Sequence, residues 1–304
     1  MTIKVKYFLV IVFCLAVSAQ AQKSFLTLNL EKGKEYKQNM LSQTKMTMTM
    51  FGQKTPMDMI MNTTVSYLVR SINDTAYEVD VKYEKMSISM LVQGINIDFN
   101  SENEDDDLMS AILNGMIGKP FEMTMNKQGK VIDVRNIDTI INGLLESLAK
   151  NTDVNQQEIE QIRQQAMESF GNDALKGNME ISTVIYPKYP VKKGNKWTVQ
   201  TELISRGMNA LVITEYKLAK KTDEYLLIKG KSKIITNDKN TQLVSGMPLG
   251  INMNGTMVSE IKTNPLTGWV IHAGIEQKIT MNTSGQENNF EMQIDMTKKM
   301  IVTD

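Results

Sequence analysis

Apolar and polar residues alternate with period two over most of the chain. In Met46-Thr47-Met48-Thr49-Met50, and again at Met57, Met59 and Met61, the methionines share one phase and mostly polar residues hold the other. That is the pattern of a strand with one buried face. Phe51-Gly52-Gln53-Lys54 lies between the two runs and supplies a turn, so residues 44–62 are expected to form a long hairpin. Tyr77, Val79, Val81 and Tyr83 continue the alternation, followed by Met86, Ile88 and Met90 and then Ile95, Ile97 and Phe99. The first half therefore reads as an antiparallel meander.

Two patches change period. Residues 105–116 place Leu108, Met109, Ile112, Leu113 and Met116 at helical spacing behind an acidic start. Farther on, Ile137, Ile140, Ile141, Leu144, Leu145 and Leu148 form one apolar stripe. A second runs through Ile159, Ile162, Ala166, Met167 and Phe170 and stops at Gly171. These stripes predict a helical hairpin between two β halves.

The halves echo each other in three places, in the same order. Leu30-Glu31-Lys32-Gly33-Lys34-Glu35-Tyr36 matches Val191-Lys192-Lys193-Gly194-Asn195-Lys196-Trp197. The stretch at 67–77, with a polar turn at Asn73-Asp74, matches 216–225 around Thr222-Asp223. Asn126-Lys127-Gln128-Gly129-Lys130-Val131 returns as Asn264-Pro265-Leu266-Thr267-Gly268-Trp269-Val270. An internal repeat is expected. The organisation is then a signal peptide at 1–21, a first β repeat at 22–134 with the short helix inside it, a helical hairpin linker at 135–175 and a second β repeat at 176–304.

The signal peptide rests on Lys4 and Lys6, an apolar stretch over 7–17 and Ala19-Gln20-Ala21, the small-x-small pattern of a cleavage site. The apolar stretch is short for a membrane anchor, and Phe13 before Cys14 argues against lipoprotein acylation. Export is expected, to the periplasm or the cell surface, as a soluble chain starting at Gln22 with no transmembrane segment after cleavage. Cys14, the only cysteine, departs with the signal, which excludes disulfides and thiol chemistry in the mature chain. Loss of Lys4 and Lys6 leaves 32 basic residues against 34 acidic. That balance gives no attraction to polyanions, so nucleic acid is not an expected partner.

Candidate chemistry is sparse. His272 is the sole histidine, so neither a Cys–His pair nor a multi-histidine metal cage can be assembled, and it reads as a structural or surface residue. Glu102, Glu104, Asp105, Asp106 and Asp107 sit at a helix start, where acids serve the dipole and solvent, and they lack the spacing of a calcium loop. Gly115-Met116-Ile117-Gly118-Lys119 leaves a helix rather than opening one, and Pro120 follows it, so it is not a phosphate loop. The basic aromatic stretch 186–197 reads as turn and strand, and Lys229, Lys231 and Lys233 as a solvated strand face. Asp74-Thr75-Ala76 and Asp138-Thr139-Ile140 match a bacterial O-glycosylation tripeptide at Thr75 and Thr139. No catalytic residue, metal ligand or cofactor is assigned.

Methionine is the compositional outlier, with 24 residues against 8 Phe and 2 Trp. Met side chains can fill irregular core, line a groove for varied apolar ligands, or hold Cu(I) through their sulfurs; without His or Cys beside them copper is the weakest of the three. Met46, Met48, Met50, Met57, Met59 and Met61 are the candidate ligand-binding residues. From Gly33 to Tyr67 are 34 positions and from Gly194 to Tyr216 only 22, so the first copy carries 12 more residues, which coincide with this Met-rich hairpin.

The motifs Leu28-x-Leu30-x-x-Gly33-x-x-Tyr36, Phe121-x-Met123-x-Met125-Asn126-x-x-Gly129-x-Val131 and Tyr189-Pro190-Val191-x-x-Gly194-x-x-Trp197 resemble those of an uncharacterised family of exported Bacteroidetes proteins, domain of unknown function 6263. The resemblance implies a compartment and no mechanism. The expected architecture is mainly β: duplicated antiparallel curved sheets or partial barrels, with a helical hairpin between the halves. The expected function is a non-enzymatic binding module for a lipid-like or amphipathic ligand. The alternatives are a structural or protein-interaction component of the envelope and, third, a carboxylate-based hydrolase.

Overall fold

The alternation builds one antiparallel sheet. The computed structural model describes residues 23–103, 108–151, 155–182, 186–205, 208–236, 241–244, 247–285 and 291–304. The expected signal peptide and the acids Glu104 to Asp107 lie outside these. The first half contributes β1 (Glu35–Met50), β2 (Gln53–Ile72), β3 (Ala76–Val92), β4 (Ile95–Asn100), β5 (Pro120–Asn126) and β6 (Val131–Arg135). The second contributes β7 (Lys196–Ser205), β8 (Met208–Lys221), β9 (Leu226–Thr236), β10 (Thr241–Val244), β11 (Met247–Thr263), β12 (Val270–Gly285) and β13 (Glu291–Thr303). Within the first half, α1 (Leu108–Met116) lies between β4 and β5, and between the halves lie α2 (Asp138–Asn151), α3 (Gln156–Phe170) and α4 (Asn172–Ser182).

The strand order is β6-β5-β3-β2-β1-β13-β12-β11-β9-β8-β7, with β4 beside β3 and β10 beside β11. The curved, mainly β architecture with helices between its halves agrees with the sequence pattern. The two halves are joined through β13, which pairs with both β1 and β12, so they share a single sheet. The predicted hairpin is longer than 44–62: it pairs Glu35 with Leu68 at one end and Met50 with Gln53 at the other. Its turn is the two residues Phe51 and Gly52, with φ of 51° and 77°, the left-handed pair whose twist suits tight hairpins.

The echoed sequences make the same bonds. Gly33 N–H donates to Val69 O and Gly194 N–H to Leu218 O, at 2.8 and 2.7 Å, and both glycines have positive φ. Tyr36 pairs directly with Tyr67, and Trp197 with Tyr216. A register shift follows at Val69/Ser71 in one half and Leu218/Lys220 in the other. Gly129 N–H donates to Asn126 O and Gly268 N–H to Asn264 O, each at 2.9 Å.

These matched turns gather at one end of the sheet, where the N-terminal segment crosses them. Leu28 N–H donates to Lys127 O and Asn29 N–H to Thr267 O, both at 2.8 Å, so the segment ties the turn of one half to the turn of the other. Leu26, Leu28 and Leu30 are buried there. The Trp269 ring lies 5.0 Å from Tyr36 and 5.1 Å from Tyr67 between ring centroids, within the range of favourable aromatic pairs. Tyr186 also bridges the two turns, its N–H donating to Gln128 O at 2.7 Å and its hydroxyl to Gly268 O at 2.8 Å. The stretch 186–197 is thus turn and strand, with Tyr186, Val191 and Trp197 buried.

Helix α3 stops where the sequence places its end. Asn155 caps α3 with a reciprocal bond to Glu158, and Gly171 ends it. Where α1 meets α2, a Cβ on Gly115 would stand 2.4 Å from Gly143 O, so only glycine permits that approach. The chain then forms α4 before the strands resume at Lys196, so helix extends past residue 175.

Helix α4 occupies the seam between the edge strands β6 and β7. Gly177 lies against β7, where a Cβ would be 2.5 Å from Glu202 O. Glu180, 4% exposed, accepts a hydrogen bond from Val131 N–H of β6 at 3.0 Å and one from Thr201 of β7. One carboxylate thereby joins both edges of the sheet. Burial pushes its pKa above the ordinary carboxylate value, partly opposed by Lys130, Thr201, the Val131 N–H and Lys176.

Candidate functional site

Along β1 one face carries Tyr36, Gln38, Met40, Ser42, Thr44, Met46, Met48 and Met50, and beyond Thr44 burial falls off. Tyr36, Gln38, Ser42 and Thr44 are buried, Met46 and Met48 are half-buried, and Met50 is 38% exposed. On β2, Tyr67, Val65 and Thr63 are buried while Met61, Met59 and Met57 are half-buried. The same gradient appears on β13, where Val302 and Met300 are buried and Met296, Ile294 and Met292 are half-buried. On β12 and β11, Ile275 and Met257 are buried, and Ile279, Met281 and Met253 half-buried. The inner face is dry core at the turn-crossed end and becomes accessible toward the β1–β2 hairpin tip.

Register brings the six candidate methionines together with others. Met46 lies opposite Met57 on β2 and Met296 on β13; Met48 faces Ile294 and Met50 faces Met292. Met59 lies opposite Met90, and Met61 opposite Ile88. Met281 continues the band, facing Ile294 on one side and Met253 on the other. The β1–β2 hairpin has strands of 16 and 20 residues against 10 and 14 in β7–β8. Aligned on Tyr36 and Trp197, the shorter hairpin ends at the level of Thr44 and Met59. The Met-rich extension rises beyond that level.

At the same level a row of polar side chains crosses the inner face. Thr44 pairs with Lys298, Lys298 with Gln277, Gln277 with Met257, Met257 with Ser232 and Ser232 with Thr214. Thr44, Gln277, Ser232 and Thr214 are buried and Lys298 is half-buried. Thr214 and Ser232 hydroxyls bond each other at 2.8 Å, and Gln277 Nε2 donates to Met257 Sδ at 3.3 Å. Lys298 is not among the candidate residues that the sequence pattern singles out, yet its phase shows it: Met292, Ile294, Met296, Lys298, Met300 and Val302 alternate on one face, and lysine is the polar member.

The opposite face holds a groove of about 670 Å³ over β9, β11, β12, β13 and β1. Gly274, beside which a Cβ would meet nothing, leaves its floor open. Val258 and Ile301 supply apolar surface, but Lys229 pairs with Glu260 and Lys299 with Glu276 across it. These ion pairs flank a groove whose exposed lining is largely apolar. His272 is exposed and borders this groove, away from the Met face. Thr75 and Thr139 are both exposed; Thr139 Oγ1 donates to Pro120 O at 2.9 Å. Among the described residues, no group of three or more His, Cys, Asp or Glu is placed to hold a metal ion. None of the described helices is long and apolar enough to cross a membrane.

A family of unknown function, DUF6263, matches residues 74–270. The chain belongs to this family. The DUF6263 match spans β3 to β11 and leaves β1, β2 and β13, which carry much of the Met face, outside it. No curated protein matches the sequence. Among solved structures the chain is similar to lipovitellin, in a structure titled for its lipid–protein interactions. The TM-score is 0.53 at 7% identity, over 91% of this chain and 26% of that one. The chain thus spans about a quarter of lipovitellin's length, and the likeness is one of fold. The translocator domain of the autotransporter NalP from Neisseria meningitidis overlaps 98% of this chain and 96% of its own at 7% identity, but its TM-score of 0.23 carries no argument.

Proposed function

We propose that this DUF6263 protein is an exported, non-enzymatic binding module that holds an apolar or amphipathic ligand in a hollow formed by its inner face. The observation that carries the proposal is the band of half-buried Met and Ile side chains on β1, β2, β3, β11, β12 and β13, contiguous by register and continuous with the core. Methionine is flexible and polarizable, so such a band adapts to chains of differing shape. Each methylene buried contributes about 0.8 kcal/mol, and a ten-carbon chain gains several kcal/mol even after ordering costs. The lipovitellin-like fold supports the reading at the level of architecture.

Native mass spectrometry and lipid extraction of protein purified from its own cells test it. A bound lipid-like species is expected, lost on combining Met48→Asp with Met59→Asp while the fold is retained. Protein that is ligand-free, binds no acyl probe at micromolar concentration and unfolds when those methionines are replaced would make the Met band ordinary core. The structural role would then take precedence.

A further inference from the structure

Lys298 is the cationic member of the polar row, at the boundary between core and Met band. Across the sheet it faces Thr44 on β1 and Gln277 on β12, both neutral, and along its own strand it lies between Met296 and Met300. Its ammonium makes no hydrogen bond or ion pair to any of the described residues. Burial pushes its pKa below the ordinary lysine value, and no acid among the described residues opposes it. Beside it, Ser42 is buried and its Oγ has no partner among the described residues. A lysine in this phase lowers stability relative to a methionine, because an ammonium is desolvated without compensation.

We infer that Lys298 anchors the carboxylate of a single-chain amphiphile, a long-chain fatty acid, whose tail runs over Met296, Ile294 and the Met46–Met57 pair toward the hairpin tip. This rests on the proposed hollow and specifies its ligand. The geometry supplies one cation with hydroxyl donors at Thr44 and Ser42 beside it, which matches one negative charge on a headgroup with acceptor oxygens. The row contains no arginine fork, the feature that would favour a phosphate. The strand rise of about 3.4 Å per residue puts the end of β1, from Thr44 to Met50, about 20 Å from the anchor, the length of an extended fatty chain of ordinary size.

The test compares oleate with oleyl alcohol, which share a tail and differ in the charged headgroup, on delipidated full-length protein by titration calorimetry. Wild type should bind both, oleate more tightly. Lys298→Met should weaken oleate by about tenfold to a hundredfold and leave oleyl alcohol within about threefold, while Lys298→Arg should retain most of the oleate affinity. The ligand-free Lys298→Met protein should unfold at a temperature no lower than wild type; Lys298→Gln serves as the second uncharged variant. Unchanged oleate binding by both uncharged variants would overturn the anchor while leaving the hollow intact. Folded wild type that binds neither ligand would overturn the hollow and the anchor with it.

Discussion

Replacing Glu180 tests whether α4 closes the seam of the sheet. In Glu180→Ala the buried Val131 N–H loses its acceptor and Thr201 loses its partner across the seam. An unsatisfied buried N–H costs about 1–3 kcal/mol, and the lost methylene contacts add about 1 kcal/mol. Relief of a desolvated carboxylate offsets part of this, leaving a net loss of about 2–3 kcal/mol. Glu180→Gln keeps an oxygen for the Val131 N–H and removes the charge, so it should stay within about 1 kcal/mol of wild type at neutral pH. The pH dependence has a definite sign. Because the folded state raises this pKa above its ordinary value of 4.5, folded protein binds the proton more tightly. The stabilising contribution is complete below that ordinary value and is lost as pH rises through the folded pKa. Glu180→Gln should therefore gain on wild type as pH rises from below the ordinary carboxylate value through the folded pKa. Urea unfolding of the three proteins across that range provides the measurement. Wild-type stability in Glu180→Ala, or a Gln variant as weak as Ala at every pH, would show that the carboxylate does not join the two edges.

Two further predictions concern the matched turns and the N-terminus. Gly194→Ala meets only the backbone penalty of positive φ, about 1–2 kcal/mol, because its Cβ has open space. Gly268→Ala adds a Cβ 2.4 Å from Thr27 O, so its urea midpoint should fall further, by a total of about 3 kcal/mol or more; equal midpoints would mean that the N-terminal segment yields easily. For export, the intact mass of protein recovered from the envelope or medium should correspond to a chain starting at Gln22, and an uncleaved or acylated N-terminus would refute it.

Local pattern made much of this legible. Period-two alternation identified β1, β2 and β3 because each buries a single face, and the glycine at Phe51-Gly52 marked the hairpin because that turn needs left-handed backbone. The apolar stripes that became α2 and α3 were equally plain. What the pattern did not disclose was long-range pairing: nothing near Asn39 names Thr303 as its neighbour, yet that pairing through β13 makes one sheet of two halves. Helix α4 was obscured because Gly177 and Asn178 break its helical preference; the close approach to Glu202 O shows why glycine is needed there. The Met face on β1 and β2 was visible, but its continuation onto β13 and β12 depends on the same distant pairings.

Lys298 separates a core from a binding surface more sharply than the methionines do. Met46, Met48, Met57, Met59 and Met61 are half-buried, which suits both the edge of a core and the wall of a site. Lysine in the same apolar phase favours the wall of a site. Were stability the sole demand on β13, a methionine at 298 would continue Met292, Ile294, Met296 and Met300 and avoid desolvating an ammonium. Its neighbours across the sheet are Thr44 and Gln277 instead of an acid, so none of the described residues neutralises it. An incoming carboxylate would complete the row, and the apolar positions beyond it extend away from the charge on one continuous face. In the proposed complex headgroup and tail would have separate places on the strand, set by a single alternation of polar and apolar residues.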